Sequence, residues 1–99
     1  MLTEHFISYG DAIAAALAWL RERGIHVDQP FESRLSGFGM RTYDQSAGYR
    51  IEFDSRSGAH INVWCRHEKG PHYVFPGNEK AVQATHRQLF WWDPNLVRR

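Results

Sequence analysis

Between residues 50 and 72 the chain is crowded with side chains that can move a proton or hold an anion. Arg50, Glu52 and Asp54 alternate along one short run, His60, Asn62, Trp64 and Arg66 along the next, and His72 follows. These types suit acid–base chemistry on a phosphodiester. A histidine or a carboxylate can take the proton of a ribose 2′-hydroxyl, a second histidine can protonate the leaving 5′-oxygen, and arginine can hold the charge that develops on the phosphate. An indole on the same surface can stack on a splayed base. None of these steps requires a metal. Taken one at a time, the same residues also fit a plain solvated face: Arg50 and Glu52 can pair across strands, and Trp64 can pack under a loop or a partner. Their joint placement is what favours the chemical reading.

Other chemistries find less support. Cys65, His67 and His72 lie close in sequence with His60 nearby, but no pair has the spacing of a zinc motif, and strand alternation points Cys65 away from His60. Inside an apolar strand set, Cys65 reads as a small buried thiol rather than a nucleophile. Gly37-Phe38-Gly39 is too short for a phosphate-cradling loop and opens no strong helix.

The elements that must position these groups follow from periodicity. Ser8 can cap a helix over about Tyr9 to Arg23, with Asp11 in its first turn and Ile13, Ala16, Leu17 and Leu20 on one apolar face. Gly24 suits the left-handed residue beyond its end. Pro30, Phe31, Leu35 and Phe38 fit a second, short helix opening at the proline. From Gly39 the period changes to two, predicting strands at Met40–Asp44, Tyr49–Asp54, His60–Arg66 and His72–Phe75. The breaks at Ser46-Ala47-Gly48, Ser55-Arg56-Ser57-Gly58 and Glu68-Lys69-Gly70-Pro71 have turn compositions of hairpin length. Asn78 can cap a last helix with Val82, Thr85, Leu89 and Phe90 inward, stopped by Pro94.

The expected architecture is therefore α+β and two-layered. An N-terminal helix, or two, and a C-terminal helix pack on one face of a four-stranded antiparallel sheet. Alternation sends Tyr49, Ile51, Phe53, Ile61, Val63, Cys65, Tyr73 and Phe75 toward the helices. Arg50, Glu52, His60, Asn62, Trp64, Arg66 and His72 are left on the open face.

Composition sets the outer bounds. The 99 residues fit one domain, read as helical over 1–38, sheet over 39–76 and helix over 77–93. Hydrophobic residues make up 42% and charged residues 23%, which excludes a disordered tail, a collagen-like chain or a repeat array. Twelve Lys and Arg against 11 Asp and Glu give a net charge of +1, so a broadly basic nucleic-acid coat is excluded while a local patch is not. Six histidines would make the chain cationic near pH 6. The single Cys65 cannot form an intrachain disulfide. The apolar run from Ala12 to Leu20 is too short to span a bilayer and lacks the basic start of a signal peptide. No membrane partner and no small-molecule cofactor are expected. The Trp91-Trp92 pair reads either as a core lid or as an interface anchor, and Arg98-Arg99 as a frayed tail.

The stretches Gly48-Tyr49-Arg50-Ile51-Glu52-Phe53-Asp54, His60-Ile61-Asn62-Val63-Trp64, Lys69-Gly70-Pro71-His72-Tyr73-Val74-Phe75 and Arg87-Gln88-Leu89-Phe90 resemble the C-terminal toxin domains of bacterial polymorphic toxins, of the contact-dependent inhibition and Rhs types. The resemblance covers about the last half of the chain. It implies a ribonuclease similar to the barnase- and RelE-like enzymes, which cut RNA on the sheet face opposite their helices. By position it implies His60 and His72 as the acid–base pair and Arg50, Asn62 or Arg66 as phosphate contacts. It further implies RNA (tRNA among the candidates) as substrate and a cognate immunity protein as partner. Delivery would be by a larger secreted protein into the cytoplasm of a target cell; a free-standing chain would be cytoplasmic.

Three readings stand at this point. A metal-independent ribonuclease needs His60, His72 and an arginine around one phosphate. A non-catalytic interaction module would dock a protein on the same face or at Trp91-Trp92. A metal-dependent DNase would need ligands converging on one point, for which Glu52, Asp54 and His60 are the candidates.

Overall fold

The structure, a computed structural model, describes residues 2–32 and 37–91, with the side chains of 86–91 excepted. In chain order the elements are β1 (Thr3–His5), α1 (Tyr9–Arg21), β2 (Gln29–Glu32), β3 (Phe38–Arg41), β4 (Ala47–Asp54), β5 (Gly58–Cys65), β6 (Glu68–Lys69), β7 (His72–Val74) and α2 (Glu79–Trp91). The class is α+β as expected. Among the described residues the sheet has seven strands rather than four, in the order β1-β7-β5-β4-β3-β2, with the two-residue β6 also paired to β5. All pairings are antiparallel except β1 with β7.

The helix α1 starts where its sequence dictates. Ser8 is the N-cap, its hydroxyl accepting from the Asp11 amide at 3.1 Å. Ala12, Ala16 and Leu20, four residues apart, are buried against the sheet, and Ile13 and Leu17 flank them half-buried. Gly24 closes the helix at φ 73°. At α2 the Asn78 carboxamide oxygen accepts from the Ala81 amide at 2.9 Å, and Val82 enters the core. The inward positions Leu89 and Phe90, as well as Trp91-Trp92, Pro94 and Arg98-Arg99, fall outside the described side chains.

The second helix is absent from the described part of its span. Gln29–Glu32 is instead an edge strand, with Pro30 opposite Met40 and Phe31 opposite Gly39. Proline fits there because an edge strand can spare one N–H. Leu35 lies outside the described residues. The N-terminal third is thus not all helical: β1 and β2 form the two borders of the sheet. β1 gave no signal because Thr3, Glu4 and His5 are all exposed and polar.

The turns sit slightly off their expected places. The β3–β4 turn precedes Ala47, and Asp44 Oδ1 organises it by accepting from the Thr42 hydroxyl at 2.7 Å and the Ser46 hydroxyl at 2.7 Å. The Asp54 carboxylate performs the same task between β4 and β5, accepting from the Ser57 amide at 2.6 Å. Glu68 and Lys69, read as turn residues, pair back onto β5.

Both helices lie on one side of the central strands. There Ile51, Ile61 and Leu20 are fully buried, joined by Tyr49, Val63, Cys65, Tyr73, Phe75 and Val82. Each large apolar side chain so buried contributes roughly 1.5–3 kcal/mol. The free thiol of Cys65 belongs to this layer. Among the described residues no helix is long and apolar enough to cross a membrane.

Candidate functional site

The alternation expected for β4, β5 and β7 holds, so their polar side chains emerge together opposite the helices. Direct register pairs set Arg50 beside Asn62 and Glu52 beside His60. Glu52 is the hub. Its Oε1 accepts from His60 Nε2 at 3.1 Å and from Asn62 Nδ2 at 2.6 Å. Its Oε2 lies 3.1 Å from Arg50 Nε. The hydrogen bond from His60, then the charge of Arg50 and the Asn62 amide, hold the Glu52 carboxyl down at about 2 against the cost of burial.

His60 is on the open face but only 2% exposed. Its Nδ1 meets the Gly58 carbonyl oxygen at 3.0 Å while Nε2 meets Glu52. A carbonyl and an ionised carboxylate can only accept, so these partners favour the doubly protonated ring. The Glu52 hydrogen bond accordingly raises its pKa above the ordinary value, outweighing burial. His72 stacks on this ring, centroids 5.3 Å apart and planes 19° from parallel. Its pKa is lowered, first by burial and then by the charge of His60. The two histidines are thus brought together but made different. His60 is buried, fully engaged and shifted toward its charged form; His72 is half-exposed and shifted toward its neutral form.

A cavity of about 410 Å³ opens beside His72, with Arg50, Glu52, Asn62, Trp64 and Lys69 in its walls. That volume lies in the range of small-molecule sites. Two wall atoms are left without a hydrogen-bond partner, the Arg50 Nε donor and the Asn62 Oδ1 acceptor; the Nε is close to Glu52 but out of line with it. Lys69 is the wall residue that sequence reasoning missed. Its strand is only two residues long, and the register Trp64–Lys69 is what brings it in.

Trp64 stands in the wall as expected, its Nε1 donating to the Gln45 carbonyl at 3.4 Å and its ring edge-to-face with Phe31 at 6.1 Å. Arg66 does not join the site. β5 ends at Cys65, and Arg66, exposed at φ 57°, turns the chain away. The donors weighed for a metal are also dispersed. Cys65 faces the helices, His67 is exposed in a turn, and both nitrogens of His60 are engaged. Among the described residues no three His, Cys, Asp or Glu side chains are arranged to hold an ion. The candidates of the DNase reading, Glu52 and Asp54, do approach His60 Nε2, at 3.1 and 4.0 Å, but as ion-pair partners of a nitrogen already bonded to Glu52.

No protein-family model matches the chain, and no curated protein matches it at a significant level.

Proposed function

We propose that the chain is a metal-independent ribonuclease working on the open face of its sheet, as a toxin domain of the polymorphic type. The observation that carries the reading is a half-exposed His72 in the wall of a cavity that also holds Arg50 and Lys69. A lowered pKa leaves His72 a free base at neutral pH, able to take the 2′-hydroxyl proton. The 2′-oxygen then attacks phosphorus, the bond to the 5′-oxygen breaks, and a 2′,3′-cyclic phosphate remains. Arg50 and Lys69 face the charge that builds on the phosphoryl oxygens. Lys69 or water returns a proton to the 5′-oxygen. In this scheme the buried His60 touches no substrate, and Glu52, though in the cavity wall, serves through its bonds to His60, Asn62 and Arg50. The ion pair of His60 and Glu52 fixes the face and keeps His72 neutral, while Trp64 takes a base.

The toxin setting supplies RNA, tRNA included, as substrate. It also supplies a cognate immunity protein as partner and delivery into the cytoplasm of a target cell by a larger secreted protein.

Purified protein incubated with RNA in EDTA should yield fragments with 2′,3′-cyclic phosphate ends and should spare DNA. His72→Ala should slow cleavage about 10²- to 10⁴-fold with an unchanged circular dichroism spectrum. The parent rate should fall only as pH drops below the ordinary histidine value of 6.5, through the lowered pKa of His72. Intact RNA at high protein concentration, or a fully active His72→Ala, would overturn the reading and leave the interaction module.

A further inference from the structure

We infer that the Trp64 wall of the cavity is a seat for one unpaired nucleobase, so that the substrate is single-stranded RNA; this deepens the ribonuclease reading and rests on it. The inference starts from an odd contact. Trp64 is on β5 and Phe31 on β2, with β3 and β4 between them, yet their rings meet at 6.1 Å. Two glycines in the intervening strands make this approach feasible. Gly39 is the register partner of Phe31, and Gly48 the partner of Trp64. Neither position has room for a side chain. A Cβ on Gly48 would come within 2.6 Å of the Met40 carbonyl oxygen, and one on Gly39 would run into the Tyr49 carbonyl oxygen. Each glycine sits beside an arginine, Gly39 beside Arg50 and Gly48 beside Arg41, and the aromatic rings lean in over the glycine positions to meet.

The indole is braced by this arrangement. Phe31 holds it edge-to-face, the Gln45 carbonyl accepts its N–H, and the Arg41 guanidinium lies 4.4 Å above the Phe31 ring. A braced indole in a cavity wall, beside Arg50 and Lys69, is complementary to a flat π-system joined to an anion. Glu52 pairs with both Arg50 and His60, at 3.1 Å each, so one carboxylate is shared between two basic side chains and Lys69 adds a further cation to the wall. A nucleotide has this chemistry, and the cavity of about 410 Å³ is of single-nucleotide scale. The base must be unpaired, since within a duplex both of its faces are covered by neighbouring pairs. Phe31 and Arg41 are positioning residues that act through Trp64.

The test uses a fluorescent 2′-O-methyl RNA oligonucleotide, which binds without being cleaved through its 2′-oxygens, alone or annealed to its complement. Fluorescence anisotropy should show the single strand binding at least about tenfold tighter than the duplex. Trp64→Leu should weaken single-strand binding roughly 5- to 150-fold, the worth of one stacked base. Trp64→Phe should restore most of it, and Phe31→Ala should give a smaller loss of the same sign. Equal binding of strand and duplex, or a folded Trp64→Leu that binds as the parent does, would overturn the seat. RNA cleaved equally well in single and double strands would also sink the seat while leaving the ribonuclease standing. Single-strand binding that depends on Trp64, with RNA left intact, would support the seat as a binding site and remove the catalysis.

Discussion

Ile61 and His60 are neighbours on β5, and both are sealed from solvent, at 0% and 2% exposure. They face opposite sides of the sheet and are buried by different means. Ile61 sits under the helices among Ile51, Val63 and Tyr73, where any well-shaped apolar neighbour would serve. His60 is enclosed by the Gly58 carbonyl oxygen and a Glu52 oxygen, each one particular atom, and by the stacked ring of His72. Apolar burial tolerates change in shape and ignores pH. Polar burial is bound to the protonation state of its members. The two faces thus divide the work: the covered face supplies stability, and the open face holds charged groups in fixed states.

Substitutions can break that division. Ile61→Ala should produce the largest loss of stability, roughly 2–5 kcal/mol, through lost burial and a cavity that the sheet cannot close. His72→Ala on the other face should change stability by less than about 1 kcal/mol while removing cleavage. Urea denaturation of the two variants measures the contrast. A His72→Ala as unstable as Ile61→Ala would mean that the open face is a second core rather than a working surface.

Glu52→Gln comes next. Glu52, held at about 2 against an ordinary 4.5, stabilises the fold above the carboxylate range and loses that effect as pH falls toward 2. His60, its pKa raised, stabilises fully below its ordinary 6.5 and loses the effect as pH rises through its folded value. The pair is therefore most effective between about 4.5 and 6.5. Within that window Glu52→Gln should cost roughly 1–3 kcal/mol, and the gap to the parent should narrow on the alkaline side. Parallel stability–pH curves for parent and variant would show that His60 carries no charge.

Alternation along β4 and β5 made the two faces legible in the sequence, and the Ser8 cap made α1 legible, because each signal is local to one element. What stayed hidden depends on partners far along the chain. β1 and β2 are short border strands with no apolar period, and their pairing with β7 and β3 is what makes them strands. Lys69 reaches the cavity only because β6 folds back on β5. Arg66 had the right parity but lies one residue past the end of its strand. The burial of His60, and hence its separation in role from His72, follows from side chains meeting across three strands, which no pattern within one strand records.

A second carboxylate sharpens the comparison at the smallest scale. Glu68 grips Arg23 with both oxygens, accepting from Nε at 2.9 Å and from Nη2 at 2.7 Å, and the guanidinium lies 3.6 Å over the Trp19 ring. In geometry this ion pair is better than Glu52 with His60. It is also far wetter, with the Glu68 side chain 56% exposed against 26% for Glu52. The hydrogen bond from Arg23 lowers the Glu68 pKa, so its contribution is present at neutral pH and fades as pH falls below the ordinary carboxylate range. Water and salt already screen most of it. Glu68→Gln should therefore lower the melting temperature less than Glu52→Gln does. Its effect should shrink further in about 1 M salt, where the screening length is about 3 Å, while that of Glu52→Gln persists. If the two variants respond to salt alike, enclosure is not what separates the pairs, and the contrast drawn between His60 and the wet surface loses its basis.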